Sequence, residues 1–522
     1  MAGKYTRVQA RTLIGLSVAM GGSLTVMASF NFILTPMLAD LNLTLDEARW
    51  ALALPSTAAL LIVFLAGRWG DKRGHRTVIS WMSLLFILGC ALVLITQGLP
   101  LLTLGLLFEG VAAMAIQIVV FGLLSDQFTE PKLRAIAFGT FGMVSPFIWM
   151  VFPVVAGAVV DATTWRLVAA LWVVAGVAMF LSARFLLPRP AVKGKVGEIW
   201  TPLLAGLSLV LVVQGLSRAS DVGWGSLEVW IPTLVGVGLA VLCVQLVKRL
   251  THPNFSLLPL KLKPARLLLF VVIIIPLINT VFLMTMAFQY VYGLSVMQTA
   301  LIMVPAQLGA VLGTRLIAAP LARKYGTTKT AAWLFLALAF AMLTAFFMTP
   351  ESPVWVPMTY VALYNILTVA ASITVTNALM AHAPAEDSGR FSAYRGSGVS
   401  LGQVLAVVLM DVFLGVVGGW LLVDNLESNG MSGSQAATEL QDIASDATSP
   451  TVMTDFPMAL PSGETVDQVL AGTFTQVLHL NGLLGAVLAI LSMVLVIRAG
   501  RSRTTPAHGS GDTAPTVQES QG

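Results

Sequence analysis

Charged residues are scarce in this sequence. Asp, Glu, Lys and Arg together make up 11% of its 522 residues, whereas a soluble globular chain contains about a quarter. The low share excludes a soluble domain with an ordinary hydrated surface. The formal net charge of +5 does not indicate a nucleic-acid partner either, because the basic residues lie in short loops between apolar runs.

Cysteine and the common catalytic motifs are also nearly absent. Cys90 and Cys243 lie far apart inside apolar runs, so we expect both to be small buried hydrophobic side chains. The chain contains no GxxxxGK[ST] phosphate loop, which excludes ATP as its direct energy source. It also lacks an HExxH motif, a paired nucleophile and base, and a cluster of metal ligands in the apolar runs. We therefore predict no metal, no cofactor and no enzymatic activity.

Long apolar runs are abundant. Hydrophobic residues account for 57% of the chain, and the mean hydropathy is +0.85. A helix that crosses the hydrocarbon core of a bilayer needs about 20 mostly apolar residues. The first run, 12–37, is too long for the apolar core of a cleaved signal peptide. We predict fourteen spanning helices, at 12–37, 48–67, 77–97, 100–124, 135–160, 166–187, 201–219, 227–248, 266–291, 297–319, 328–349, 354–380, 395–419 and 474–498.

The positions of Lys and Arg predict the orientation in the membrane. An even number of spans puts both termini on one side. If that side is cytoplasmic, its loops and helix ends receive all but three of the 30 Lys and Arg, with Arg390 and Arg395 among them. Cytoplasmic loops of membrane proteins carry such an excess. We therefore predict that both termini are cytoplasmic.

Two segments outside the apolar runs have distinctive compositions. The outer segment 420–473 is acidic and contains neither Lys nor Arg. It either concentrates cations at the outer mouth or is simply a solvated loop. The polar, Gly- and Pro-rich tail 500–522 is expected to be disordered.

The loop between the second and third predicted helices reads GRWGDKRGHR, residues 67–76. Its glycines permit a tight turn and close helix approach, and Asp71 is placed to cap a neighbouring helix N-terminus. A second loop, from Asp126 to Gly139, contains Arg134. Weaker echoes occur late in the chain, at 322–326 and 383–390, which indicates two homologous halves.

The first loop resembles the G-x-x-x-D-[RK]-x-G-[RK]-[RK] signature of the major facilitator superfamily. The number of helices, the extra pair near 201–248 and the long outer segment resemble its fourteen-helix drug:proton antiporter family. The resemblance implies an all-α integral membrane protein with the major facilitator fold. It would have two six-helix bundles related by pseudo-two-fold symmetry and two additional central transmembrane helices.

The domains expected from the resemblance are a cytoplasmic N-tail 1–11, an N-terminal bundle 12–190, a two-helix insertion 191–263, a C-terminal bundle 264–499 and a cytoplasmic tail 500–522. The resemblance also implies a conformational-switch loop system made of Gly67, Asp71, Arg73, Gly74, Arg76, Asp126 and Arg134.

The sequence departs from the antiporter family at positions tied to coupling. Met27 stands about where the family usually has an acid in the first helix, and Asn31 is the strongly polar residue of that segment. In the fourth helix Glu109-Gly110 replaces the end of an R-x-x-Q-G pattern, so the arginine is missing. These departures weaken the expectation of a cationic substrate and of a standard coupling mechanism.

Two carboxylates lie well inside predicted spans. A charged group at the bilayer centre costs roughly 2.5–3.5 kcal/mol on insertion scales and is therefore a candidate for function. Glu109 is expected near the midplane, and Asp411 in the outer half of its helix. With Asn31, they are our candidates for proton coupling or substrate binding. The alternative for Glu109 is a structural hydrogen bond between helices.

Other polar and aromatic side chains in the spans are candidates for the wall of a cavity. Hydrogen bonds between helices, packing or anchoring at the bilayer interface would explain each of them equally well. Arg315 either reaches the cytoplasm or pairs with a substrate anion. The cavity candidates are Trp149, Asn279, Gln289, Tyr290, Gln307 and Asn365.

These observations predict a secondary active transporter. It would export hydrophobic or amphiphilic, drug-like small molecules by alternating access, with protons as the coupling ion. The alternative is an exporter or flippase of lipids or lipid-linked metabolites on the same fold. We expect a multi-pass protein of the bacterial inner membrane that works as a monomer. A non-transporting sensor is disfavoured because the sequence shows no soluble effector domain.

Overall fold

The computed structural model describes residues 6–43, 45–189, 198–218, 223–250, 257–294, 296–384, 387–430 and 465–501. Helices dominate these residues. The N-terminal half contains α1 (Arg7–Leu41), α2 (Leu45–Arg73), α3 (His75–Ile95), α4 (Leu99–Gln127), α5 (Pro131–Phe141), α6 (Val144–Ala162) and α7 (Trp165–Phe185). The insertion contains α8 (Trp200–Ser217) and α9 (Leu227–Arg249).

The C-terminal half begins with the short α10 (Leu258–Lys261). It continues with α11 (Lys263–Leu277), α12 (Val281–Met286), α13 (Val296–Gly313), α14 (Ala319–Tyr325), α15 (Thr327–Leu343), α16 (Trp355–Met380), α17 (Ser388–Asp411), α18 (Gly419–Ser428) and α19 (Val466–Arg501). Turns of π-helix extend three of these helices, at Ala287–Val291, Thr314–Ala318 and Val412–Gly418.

Two glycines form matching turns in the two halves. Gly74 joins α2 to α3 with a φ of 90°, and Gly326 joins α14 to α15 with a φ of 87°. Side chains with a Cβ rarely adopt this conformation. The two turns fall in the loop at 67–76 and in its weaker echo at 322–326, so the backbone repeats where the sequence does.

Every predicted span overlaps one helix or a series of consecutive helical segments separated by at most three residues. Among the described residues, eleven helical segments are long and apolar enough to cross a membrane, and the shorter apolar helix Trp200–Leu216 lies at an additional predicted span. The remaining two predicted spans, 48–67 and 395–419, fall within α2 and within α17 and its continuation. The all-helical membrane architecture is confirmed, and the total of fourteen spans stays a prediction.

Helix α17 extends beyond the predicted thirteenth span. Helix α17 begins at Ser388 rather than at residue 395. Its first two turns contain polar residues, SGRFSAYR, which lower the local hydropathy although the backbone is helical. Arg395, the first residue of the predicted span, therefore lies seven residues inside the helix.

The two halves pack against each other at two helix–helix interfaces. In one, α2 and α4 contact α17; in the other, α5 and α6 contact α13 and α14. The insertion covers the first of these interfaces, because α8 packs on both α2 and α17. Leu60 of α2, Val210 of α8 and Leu401 of α17 meet in one apolar cluster there.

Candidate functional site

A cavity of about 310 Å³ lies between the two halves. Helices α1, α4, α5 and α6 contribute one wall, and α13, α16 and α17 contribute the other. The lining residues are Met20, Phe121, Phe141, Gly142, Ser145, Pro146, Trp149, Gln307, Asn365, Val369, Ser372, Ile373 and Arg395. The wall is mainly apolar and aromatic, with a few polar groups, which is the usual make-up of a small-molecule site.

Arg395 provides the positive charge of this wall. Its Nε donates a hydrogen bond to Oγ1 of Thr376 at 3.0 Å. The guanidinium carbon lies 4.0 Å from the centroid of the Phe121 ring, so the cation rests on an aromatic face from the opposite half. Sequence reasoning missed this residue because its helix was expected to begin at position 395, where an arginine is typical of the cytoplasmic boundary.

Three of the six cavity candidates line the cavity: Trp149, Gln307 and Asn365. Asn365 is buried, and its Nδ2 has no hydrogen-bond partner among the described residues. Asn279 has a different place, because its Oδ1 accepts a hydrogen bond at 3.0 Å from the amide of Val281, the first residue of α12.

Four further candidates carry side chains outside the part of the chain that the structure describes. Gln289 and Tyr290 lie in the π-helical turn after α12, Asn31 lies in α1, and Asp411 ends α17. Their assignments to the cavity and to proton coupling stay predictions.

Glu109 lies inside the N-terminal bundle, away from the cavity lining. It follows the start of α4 by ten residues, or roughly 15 Å along the helix axis. Its side chain is 7% exposed. Helix α3 approaches closely at this point, since a Cβ built on Gly89 would lie 2.7 Å from the backbone nitrogen of Glu109. The carboxyl group is thus held in a tightly packed, water-poor part of the bundle.

Asp71 joins the two halves at one end of the cavity. Its carboxylate accepts hydrogen bonds from the amides of Gly389 at 2.7 Å and Arg390 at 3.2 Å. These amides belong to the first turn of α17, where backbone N–H groups lack partners within the helix and the helix dipole favours negative charge. Asp71 therefore caps a helix of the other half, as the sequence suggested for a neighbouring helix.

The backbones of the two halves are in direct contact beside this cap. A Cβ built on Gly67 would contact the carbonyl oxygen of Gly389, and a Cβ on Gly389 would contact that of Gly67. No larger residue fits at either position without moving the helices apart. The glycines thus let the carboxylate of Asp71 reach the amides of α17.

The loop around 126–134 seals the same end. The guanidinium of Arg134 donates to the hydroxyl of Ser125 and to the carbonyl of Met380 at the end of α16. His382, in the turn after α16, is partly buried, and burial together with the nearby Arg134 lowers its pKa. A neutral imidazole at His382 adds no second positive charge beside Arg134.

The other members of the predicted switch loops surround this seam. Nδ1 of His75 lies 3.7 Å from Oδ2 of Asp126. Arg76 donates to the carbonyl of Arg184, which fixes α3 against α7. Arg73 is exposed. The structure brings Gly67, Asp71, Asp126 and Arg134 to one end of the molecule, and their role as a switch stays a prediction.

The sequence resembles known membrane transporters over most of its length. The family model described as Major Facilitator Superfamily matches residues 14–407. The tetracenomycin C resistance and export protein of Streptomyces glaucescens is 22% identical over 86% of this chain and 82% of its own length. The puromycin resistance protein of Streptomyces alboniger is 28% identical over 65% of this chain and 68% of its own length.

A third similar protein is the probable actinorhodin transporter of Streptomyces coelicolor, which is 27% identical over 55% of this chain. The match covers 51% of that relative, so this chain aligns with about half of its length.

Solved structures share the fold at low sequence identity. The human organic anion transporter MFSD10 superposes with a TM-score of 0.58 at 12% identity, covering 94% of this chain and 99% of the other. The Escherichia coli fucose:proton symporter FucP (N162A) gives a TM-score of 0.55 at 11% identity, covering 94% and 98%. These likenesses confirm the fold class expected from the sequence.

Proposed function

Because the chain belongs to the major facilitator superfamily, a family of membrane transporters rather than enzymes, we propose that it exports drug-like amphiphilic small molecules by alternating access. The observation that carries the proposal is the cavity between the two halves, which is sealed at the end formed by Asp71, Arg134 and the start of α17. A binding site between two bundles that close over one end at a time is how such transporters work.

The distribution of Lys and Arg supports an orientation in which the sealed end of the cavity faces the cytoplasm. The sealed end carries the loops that are rich in Lys and Arg, and such loops are cytoplasmic in membrane proteins. We therefore assign the described conformation to the state in which the site is closed to the cytoplasm. The termini would both be cytoplasmic, and the protein would lie in the bacterial plasma membrane and work as a monomer.

The names of the relatives support a drug-like substrate. Two are described as resistance proteins, for puromycin and tetracenomycin C, and a third as a probable actinorhodin transporter. The cavity volume of about 310 Å³ lies at the lower end of the range for drug-sized ligands. This volume favours a compact molecule over a lipid with two acyl chains. Lipid export is the alternative function, and the test below distinguishes it from drug export.

Glu109 is the proposed site of proton coupling. An ionisable side chain inside a spanning bundle is costly and is therefore a functional candidate. Glu109 is closely packed on α4, the helix that also contributes Phe121 to the cavity wall, so a change of its charge would act on a helix that lines the substrate site. Proton binding and substrate binding would then occupy separate places in the same bundle.

The test uses everted membrane vesicles that contain the wild-type protein, Glu109→Gln or Glu351→Gln. Glu351 is an exposed glutamate between α15 and α16 and provides the same chemical change outside the bundle. A proton gradient is built and followed with a pH-sensitive dye while amphiphilic drugs are added. We expect drug addition to dissipate the gradient with wild type and Glu351→Gln, and not with Glu109→Gln.

Two outcomes would contradict the proposal. If Glu109→Gln dissipates the gradient as fast as wild type, coupling does not pass through Glu109. If the purified protein in liposomes moves a fluorescent lipid between leaflets but transports none of the drugs, the function is lipid export.

A further inference from the structure

Arg395 lies in the wall of the cavity and has no carboxylate partner among the described residues. It forms no ion pair with any residue that the structure describes, whereas the neighbouring Arg390 pairs with Asp387 at 2.7 Å. Asp411 lies sixteen residues further along the same helix and its continuation, or roughly 24 Å away, which is too far for contact. A charge held in a low-dielectric site without a counter-charge is unfavourable, so a ligand that supplies one is favoured.

The hydrogen-bonding capacity of Arg395 points the same way. A guanidinium carries five N–H donors in a planar fork that matches a carboxylate. Within the described residues, one of these groups, Nε, has a hydrogen-bond partner, the hydroxyl of Thr376. The Thr376 contact and the Phe121 ring fix the orientation of the guanidinium while leaving its terminal nitrogens available.

A second lining residue, Asn365, also has a donor with no partner in the described part of the chain. Nδ2 of Asn365 is buried and makes no hydrogen bond to a described residue. Leaving a buried donor unpaired costs about 1–3 kcal/mol, so an acceptor on the ligand would remove that cost. Arg395 and Asn365 lie on adjacent helices, α17 and α16, and both residues line one cavity.

The remaining wall selects the body of the ligand. Phe121, Phe141 and Trp149 provide aromatic faces, and no acidic side chain is among the described lining residues. A lipophilic cation would therefore meet Arg395 without any compensating negative charge. An aromatic body with one acidic group fits both the apolar wall and its single cation.

We propose that the transported substrate is a compact aromatic organic anion whose acidic group binds Arg395, with Asn365 as a second hydrogen-bond donor. The inference deepens the proposed function, since it names the substrate class of the same cavity.

The experiment uses three probes that share one aromatic body: 1-pyrenebutyrate, 1-pyrenebutanol and 1-pyrenebutylamine. Binding is measured to the purified full-length protein in nanodiscs by energy transfer from tryptophan to pyrene, with empty nanodiscs as the background. The variants are Arg395→Gln, Arg395→Lys and Arg315→Gln. Arg315 bonds to Thr140 and does not line the cavity, so it provides the same substitution elsewhere.

We expect wild type and Arg315→Gln to bind the butyrate at least about tenfold more tightly than the alcohol, as a charge-assisted hydrogen bond implies. Arg395→Gln should remove this difference and leave the affinity for the alcohol unchanged, which also shows that the variant is folded. Arg395→Lys should restore part of the preference, because it keeps the charge and loses the planar fork. Equal binding of all three probes by wild type, or an unchanged preference in Arg395→Gln, would overturn the proposal.

Transport of the same probes separates this inference from the proposed function. Export of the alcohol and amine without preference for the butyrate would reject the anion site and leave export standing. Binding of the butyrate that depends on Arg395, with no transport of any probe by vesicles, would uphold the site and reject export. A fluorescent phosphatidylglycerol is included as a further arm, and competition by this lipid with an affinity above that of the butyrate would reject a compact ligand.

Discussion

At the residue scale, the contact with the most direct consequence is the one between Asp71 and the first amides of α17. An aspartate that caps a helix contributes about 1 kcal/mol, and a favourable helix dipole adds to it. Here the cap joins different halves of the molecule, so its free energy stabilises the sealed end relative to an opened one.

We therefore expect Asp71→Ala to shift the equilibrium toward opening of the sealed end by about fivefold, which corresponds to 1 kcal/mol. The measurement is the rate at which a maleimide labels a cysteine placed at Ser125, which is buried in the seam. The background carries alanine at Cys90 and Cys243, which are both buried and free.

The control is Arg73→Gln, which changes an exposed residue of the same loop. It should leave the labelling rate unchanged, and Asp71→Asn should have an intermediate effect, because asparagine caps helices but carries no charge. Equal labelling rates in Asp71→Ala and the parent would show that the cap does not hold the seam closed.

The residues of the cavity show how far single positions can be read from sequence. Trp149, Gln307 and Asn365 were candidates because they are polar or aromatic side chains in apolar runs, and they line the cavity. Asn279 meets the same criterion and instead accepts a hydrogen bond from the first amide of α12. The criterion identifies residues with unmet hydrogen-bonding needs, but whether a ligand or the backbone meets them depends on the tertiary fold.

At the scale of elements, the insertion packs against both halves of the molecule. Helix α8 packs on α2 through Gly206, whose Cβ would contact the carbonyl oxygen of Leu61. The same helix reaches α17 of the other half through the cluster of Leu60, Val210 and Leu401. The insertion thus contacts both halves at the interface between α2 and α17.

We expect Gly206→Leu to force α8 away from α2 and to destabilise the protein by about 1–3 kcal/mol, the usual cost of overpacking. Thermal unfolding in detergent provides the measurement. Gly238→Leu on α9 is the matched control, because a Cβ at Gly238 meets nothing within 4 Å. Equal melting temperatures for the two variants would show that the contact between α8 and α2 contributes no stability.

Helix positions were more predictable than helix ends. Apolar runs of about 20 residues identify spanning helices because the bilayer fixes their length. Helix α17 begins before the predicted span because Ser388, Arg390 and Arg395 lie in helical turns that other helices cover. The low hydropathy of these turns reflects the seam and the cavity and not a loop. Hydropathy cannot separate these cases, since it contains no information on neighbours.

At the scale of the whole molecule, the two halves touch within the cavity wall, at Gly142 and Ile373. A Cβ built on Gly142, between α5 and α6, would lie 3.3 Å from the Cβ of Ile373 on α16. Disulfides join residues whose Cβ atoms are about 3.5–4.5 Å apart, so a small adjustment suffices for cross-linking. The internal repeat was readable from the loop echoes, but which residues of the two halves face each other was not.

The combination of Gly142→Cys and Ile373→Cys, in a background with alanine at Cys90 and Cys243, should form a disulfide under mild oxidation. Because alternating access requires the halves to separate at this contact, the cross-linked protein should lose transport. Activity should return on reduction, and each single cysteine variant should be insensitive to the oxidant.

Non-reducing mass spectrometry of a digest checks the bond, and vesicle transport of an amphiphilic drug checks the consequence. A cross-linked protein that transports at the rate of its reduced form would show that the halves do not part between Gly142 and Ile373, and alternating access through this seam would be rejected.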